Sequence, residues 1–332
     1  MNVKPDLALR RLLTALICAL MLAPLPALAQ SQSWPSRPMR LIVPQGPGSG
    51  TDTIARLIAD GLTPRLGQPM IVENMPAASG LLAHQVAARA APDGTTFLFS
   101  TVSGLAINPV TVKSLPYDAA KDFSPVAMVV DFAPQMLSVN AELPIKSVTE
   151  FVSYVKANPG KLSYGLDITV TAAVVSARLL VKRAGLDMVE VPYRSPAQMA
   201  TDVASGRVPV TVSSLAASGA MIQAGKIRPL GWFGTKRFSY QPDTPTVAET
   251  VPGVAIDAWF IIVAPTGTSA EAINRLNREI NEVLQASDIG ARFAKVGLGV
   301  SDTGTPDSLA AFIRSEQEKW RSLALELNLE AQ

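Results

Sequence analysis

The chain has 332 residues with one cysteine (Cys18) and one histidine (His84). That excludes a disulfide framework, a thiolate cluster or a histidine-rich metal centre, and routes any Ser-His-Asp triad through His84 alone. Its 29 basic and 27 acidic residues, net +2, give no basic excess for nucleic acid, and beyond residue 30 no apolar run reaches the roughly 18 residues of a membrane span.

Arg10 and Arg11 precede an apolar run over 12–25, and Ala27-Leu28-Ala29 forms a small-residue cleavage site. This pattern predicts a secretory signal peptide over 1–29, too short and wrongly flanked for a stable span. Cys18 follows Ala15-Leu16-Ile17 rather than the small residues of a lipoprotein signal, so a soluble, cleaved form starting near Gln30 is expected in the periplasm. Cleavage removes Cys18 and leaves 26 residues of each charge sign. A chain of that length ordinarily forms two domains.

Short β-rich runs then alternate with helical patterns. Strands are predicted at 40–43, 70–73, 96–99 and 126–130, then at 136–139, 162–164, 189–191, 209–212 and 259–263. Ile54, Leu57, Ile58 and Leu62 repeat on one face of a helix opening near Thr51. Ser147 with Glu150, and Ser195 with Pro196 and Gln198, read as helix starts, while Asn158-Pro159-Gly160 and Gly185 read as stops. Thr268 to Glu271 predicts another capping box, and Thr305-Pro306 starts a last helix. Strands alternating with helices imply an α/β fold with largely parallel sheets. Trp232, Trp259 and Trp320 are expected in the core, and His84 on the surface or half-buried.

The sharpest local feature is PQGPGSGTD over 44–52, between the first strand and its helix. Glycines let backbone turn tightly and approach a ligand, and the N–H groups of the helix start favour an anion. The loop is neither nucleotide motif. No Lys follows the glycines, and Gly46, Gly48 and Gly50 fall at every second position. Similar strand-to-helix junctions occur at Asp167 to Thr169 and at Tyr193-Arg194-Ser195. In open α/β sheets ligands sit beyond the carboxyl ends of strands, so these junctions predict a cleft. Its candidate lining is Gly48, Ser49, Gly50, Thr51, Asp52, Thr101, Ser103, Asp167, Thr169, Tyr193, Arg194, Ser195 and Ser214. Arg194 is the cation placed to pair with an anion; Asp52 and Asp167 can cap a helix, hold water or meet a cationic group of the ligand. No nucleophile or metal-ligand spacing stands out, which favours binding without turnover and no cofactor.

Ordered motifs then run along the chain: WPSRPMRLIVP (34–44), PGSGTD (47–52), LGQP (66–69) with VEN (72–74), AARAAPDG (87–94), AINP (106–109), LPYD (115–118), KDFSPV (121–126), VPY (191–193), QAGK (223–226), PTVAE (245–249) and APTGT (264–268). On these the chain resembles the Bug-type extracytoplasmic substrate-binding receptors of the tripartite tricarboxylate transporters. The resemblance implies a two-lobed periplasmic-binding-protein fold with mixed sheets flanked by helices. It implies one lobe at 34–133 plus 254–332 and the other at 134–253. It also implies a small carboxylate ligand, trapped between the lobes, and delivery to a large and a small membrane subunit; a monomer is the simplest form for a cleft that must open and close. A ligand sensor signalling to a membrane partner would look the same in sequence. The stretch Gly165 to Val174 departs from the family by lacking its Gly/Ser-rich, His-containing loop; Gln45-Gly46 and Arg194-Ser195 depart as well. One side of the site is therefore expected to be bulkier and more apolar, with an added acid. This suits a ligand with an aliphatic or aromatic body and an amino or amide group near Asp167.

Overall fold

A computed structural model describes residues 34–239, 241–299 and 303–329. The predicted signal peptide, with Cys18 and the cleavage position at Ala29, lies outside them. In chain order the first elements are β1 (Met39–Val43), α1 (Gly50–Leu66), β2 (Met70–Asn74), α2 (Leu81–Ala88), β3 (Thr96–Thr101) and β4 (Phe123–Val130). A tight turn over Ala77–Gly80 leads into α2, and a π turn over Ser103–Ile107 follows β3. Next come β5 (Met136–Asn140), α3 (Val148–Ala157), β6 (Ser163–Asp167), α4 (Ala172–Ala184), β7 (Val189–Tyr193), α5 (Pro196–Ala204), β8 (Val210–Ser213), α6 (Leu215–Gln223) and β9 (Ile227–Trp232). The chain ends with β10 (Phe260–Pro265), α7 (Ala270–Leu284), α8 (Ser287–Lys295) and α9 (Pro306–Glu326).

Among the described residues the strands form two five-stranded sheets, ordered β2-β1-β3-β10-β4 and β7-β6-β8-β5-β9. The expectation of largely parallel sheets needs correction. β1 runs parallel to β2 and β3, and β6 to β7 and β8, but β10 is antiparallel to β3 and β4, and β5 to β8 and β9. β5 and β10 are the strands entered from the other sheet. No helical crossover within one sheet feeds them, so the handedness rule that keeps βαβ strands parallel does not apply. The sheets are thus mixed, as the family resemblance implies.

The chain passes between the sheets at 131–135 and returns at 233–259. These two crossings lie side by side: Ala133 N donates to Ala258 O at 2.9 Å and Phe233 N to Gln135 O at 2.8 Å. The Thr235 hydroxyl donates to Asp257 at 2.6 Å.

Local sequence accounts for most element ends. Ser49 caps α1 and accepts from Asp52 N, Ser147 caps α3, Thr171 caps α4 and Ser195 caps α5. Helix α1 buries Ile54, Ile58 and Leu62 and stops at Gly67 with φ 70°. Helix α7 is capped by Ser269 rather than by the predicted Thr268, whose hydroxyl instead donates to Pro265 O at 2.7 Å. Sequence pattern missed β9, because Pro229 and Gly231 argue against a strand. Among the described strands β9 pairs with β5 alone, apart from a single bridge from Trp232 to Thr246, and Pro229 sits where the register shifts between Leu137 and Ser138. An edge strand with a bulge tolerates both residues. All three predicted tryptophans are core, and the indole N–H groups of Trp259 and Trp320 both donate to buried Glu316, at 2.8 and 3.1 Å.

Candidate functional site

Four helices open toward one space between the sheets. Each starts just beyond the carboxyl end of a strand: α1 after β1, α4 after β6, α5 after β7 and α6 after β8. Their first residues line a cavity of about 420 Å³, in which Ser49, Gly50 and Thr51 face Thr171, Ala172, Pro196 and Ser214. The first N–H groups of a helix lack intrahelical partners and carry its positive dipole end. Four such ends converging on one space favour an anion without any cation in the wall. The rest of the lining is largely apolar, including Val102, Ala258, Phe260 and Leu298.

A second cavity, about 490 Å³, continues from the first and shares Gln45, Thr101, Ser103 and Thr171 with it. Its further walls are Ser79, His84 and Asn108 on one side and Asp167, Thr169 and Arg194 on the other. Arg194 is exposed, and among the described residues no ion pair engages it. Asp167, which lines this cavity, accepts from Thr169 N and from the Thr169 hydroxyl at 3.1 and 3.0 Å, both on one oxygen, and among the described residues its second oxygen makes no hydrogen bond. Thr101, Ser103 and Ser214 commit no side-chain hydrogen bond among the described residues, which leaves three hydroxyls for a ligand.

Of the residues predicted from sequence, Ser49, Gly50, Thr51, Thr101, Ser103, Asp167, Thr169, Arg194 and Ser214 line these cavities. Gly48, Asp52, Tyr193 and Ser195 do not, and each has a local task. Asp52 is buried and accepts from Gly48 N at 2.8 Å, from Asn74 at 2.9 Å and from Arg56 at 3.0 Å. Burial pushes its carboxyl upward, but Arg56, the Gly48 N–H and Asn74 together hold it below the usual carboxylate range. Asp52 therefore shapes the glycine loop, in which Gly48 takes φ 79°. The Tyr193 hydroxyl donates to Asp202 at 2.9 Å, and Ser195 accepts from Gln198 N at 3.3 Å.

His84 contradicts the expectation of a surface or half-buried residue: it is 2 % exposed. Nδ1 lies 2.9 Å from Gly80 O, and Nε2 lies 2.9 Å from the Ser100 hydroxyl. A carbonyl only accepts, so Nδ1 carries the proton and Nε2 accepts from Ser100. Tyr117 stacks on the ring at 4.9 Å, and burial pushes the imidazole pKa down to about 4. A Cβ on Gly104 would come 1.9 Å from Nε2, so glycine there is a condition for the π turn to pass over the imidazole. The signal for this was present: Ala83, His84 and Ala87 share one face of a small-residue helix. Gln45, Ser79, Asn108 and Thr171 were not singled out as lining residues. They come from loops and caps brought together only by the tertiary fold.

A separate cavity of about 390 Å³ at the crossings sets Lys236 against Asp131 and Asp257. Two acids to one cation suit an anion less well. Among the described residues no group of His, Cys, Asp and Glu could hold a metal ion, and no helix is long and apolar enough to cross a membrane.

Residues 54–329 match the family described as tripartite tricarboxylate transporter family receptor. The chain is 35% identical over 316 residues to a UPF0065 protein of Bordetella bronchiseptica, covering 95% of this chain and 93% of that one. Among solved structures it is similar to R. palustris Rpa4515 with adipate, at 32% identity and a TM-score of 0.81, covering 90% of this chain and 100% of that one. It is also similar to MatC (Rpa3494) from Rhodopseudomonas palustris with bound malate, at 29% identity and a TM-score of 0.75, covering 87% and 99%.

Proposed function

This chain belongs to the tripartite tricarboxylate transporter receptor family, and on that premise we propose that it captures a small organic acid between its lobes in the periplasm and hands it to the large and small membrane subunits of a tripartite transporter. The family is one of solute-binding receptors, so the role is binding without turnover. The protein works as a monomer after cleavage at Ala29. One lobe comprises 34–133 with 254–332 and the other 134–253. The paired crossings act as the hinge about which they close.

The single observation that carries this reading is the convergence of the α1, α4, α5 and α6 N-termini on one apolar-walled cavity beside Arg194. A carboxylate settles at the helix ends, where dipoles and free N–H groups replace its hydration. An aliphatic or aromatic body lies against Val102, Ala172 and Phe260. A second polar group reaches the neighbouring cavity, as a carboxylate toward Arg194 or as an amino or amide group toward Asp167. The acids named with the similar structures, adipate and malate, have the first form.

The test is a thermal-shift screen of residues 30–332 against mono-, di- and tricarboxylates, aromatic acids, amino acids and amides. A ligand binding only the folded state adds RT ln(1 + [L]/Kd), about 2.7 kcal/mol at a hundredfold excess over Kd. A shift with one carboxylate class supports capture and names the class; none with any of them refutes it. Asp167→Ala should change the preference between amino or amide acids and plain dicarboxylates, and identical affinities across the panel would remove Asp167 from the site.

A further inference from the structure

The turn between β2 and α2 holds two non-glycine residues where L side chains rarely go. Ala78 has φ 51° and ψ 45°, Ser79 has φ 55° and ψ 34°, and Gly80 follows at φ 84°. Left-handed backbone crowds Cβ against the neighbouring carbonyl, so a consecutive pair persists only where the surroundings impose it. Here both ends of the turn are anchored. Met75 N donates to Val43 O at 2.8 Å, extending the β1–β2 pairing. At the other end His84 Nδ1 donates to Gly80 O at 2.9 Å, and a Cβ on Gly80 would lie 2.8 Å from the Pro44 Cβ. Between these anchors Ser79 is exposed toward the cleft. It lines the cavity that holds Asp167, Thr169 and Arg194. It also lines an adjoining space of about 240 Å³ in which Ala78 and Leu81 face Thr169 and Val170 from the other sheet. Strain kept by anchors at both ends, in a turn that lines a cleft, is the usual mark of a positioned group.

We propose that Ser79 is a specificity-determining residue of this cleft, its hydroxyl held by the left-handed turn as a donor to the distal polar group of the bound acid. This rests on the receptor reading above. The backbone places the hydroxyl, so it rewards acids whose distal oxygen reaches the Ser79 wall across the cavity from Thr169 and Arg194 and not those that end short of it.

The experiment is calorimetric titration of wild type, Ser79→Ala and Ser79→Gly with adipate and with malate, together with melting of each ligand-free protein. Ser79→Ala removes the hydroxyl and keeps the strained backbone; Ser79→Gly removes both. Both variants should lose about fivefold in affinity for the better-bound acid, the size of one neutral hydrogen bond, and the ratio between the two acids should change. Ligand-free Ser79→Gly should melt above Ser79→Ala. Wild-type affinities in both variants would overturn the proposal even if the melting order holds, since a purely conformational role moves only melting. Equal melting temperatures would overturn its premise of a strained turn. A wild type that binds neither acid overturns the receptor reading for these acids, and this inference with it.

Discussion

Acidification should weaken this protein in a pH window that belongs to one side chain. His84 is the only histidine in the sequence, it is buried, and its folded pKa is pushed down to about 4 from an ordinary 6.5. Between those values the unfolded chain binds a proton that the folded chain does not, so stability is complete above pH 6.5 and falls as the pH drops toward 4. Each unit of depression is worth 1.36 kcal/mol, so the whole span costs about 3 kcal/mol. Carboxylates held low by ion pairs, such as Glu73 beside Arg40, withdraw their support only as the pH falls below their own unfolded values near 4. Burial raises the Asp257 carboxyl instead, so it gains stability on acidification and can only flatten the slope. Urea unfolding at half-unit steps from pH 7 to 4.5 measures the effect in wild type and in His84→Gln, which retains a donor and an acceptor. Wild type should lose about 2 kcal/mol or more over that range while the variant stays level. A flat wild-type profile, or an equal fall in both proteins, would refute the assignment of a neutral, buried imidazole.

Three other substitutions probe separate parts of the molecule. Gly104→Ala drives a Cβ to 1.9 Å from His84 Nε2 and should cost about 3 kcal/mol in urea unfolding; a cost below about 1 kcal/mol would mean that the π turn is free to move away. Arg194→Ala should weaken the best carboxylate ligand by about tenfold or more in calorimetry, the worth of one charged hydrogen bond, with melting of the ligand-free protein unchanged; equal affinity would take Arg194 out of the site. Glu316→Ala strips the shared acceptor from the indoles of Trp259 and Trp320 and should destabilise by about 2–4 kcal/mol in the same urea assay, and a neutral result would mean that both N–H groups find other partners.

What the sequence made legible was mostly local. Helix starts at Ser147, Ser195 and Thr305, and the one expected near Thr51 and found capped by Ser49, depend on a side chain reaching a backbone N–H three residues on, so a short window contains the whole interaction. The buried face of α1 is likewise a periodicity within one element. Strand direction is not local. β10 could be found from its apolar run, but that it inserts antiparallel between β3 and β4 depends on the crossing at 233–259. The cleft divided in the same way. Glycine loops and caps such as Ser49 and Thr51 announced themselves, whereas Ser79 and Asn108 enter the wall only because distant turns meet there. From sequence Asp52 reads first as a structural residue of the helix start and second as a ligand group, and Asn74 and Gly48 N on its oxygens decide for the structural role. The buried face of the helix carrying His84 is legible locally from Ala83 and Ala87, but that Tyr117 and Gly104 close over the imidazole is not.

The insertion of β10 between β3 and β4 also sets an order of assembly. Until residues 260–265 exist, β4 has no neighbour in its own sheet, although it was made some 130 residues earlier. The second sheet suffers no such delay, because its five strands lie within one continuous stretch from Met136 to Trp232. A chain emerging N-terminus first would therefore finish its later-encoded half before its earlier one. The first half waits, with the apolar strand Phe123–Val130 uncovered, for a strand that arrives only after the whole second sheet has been made.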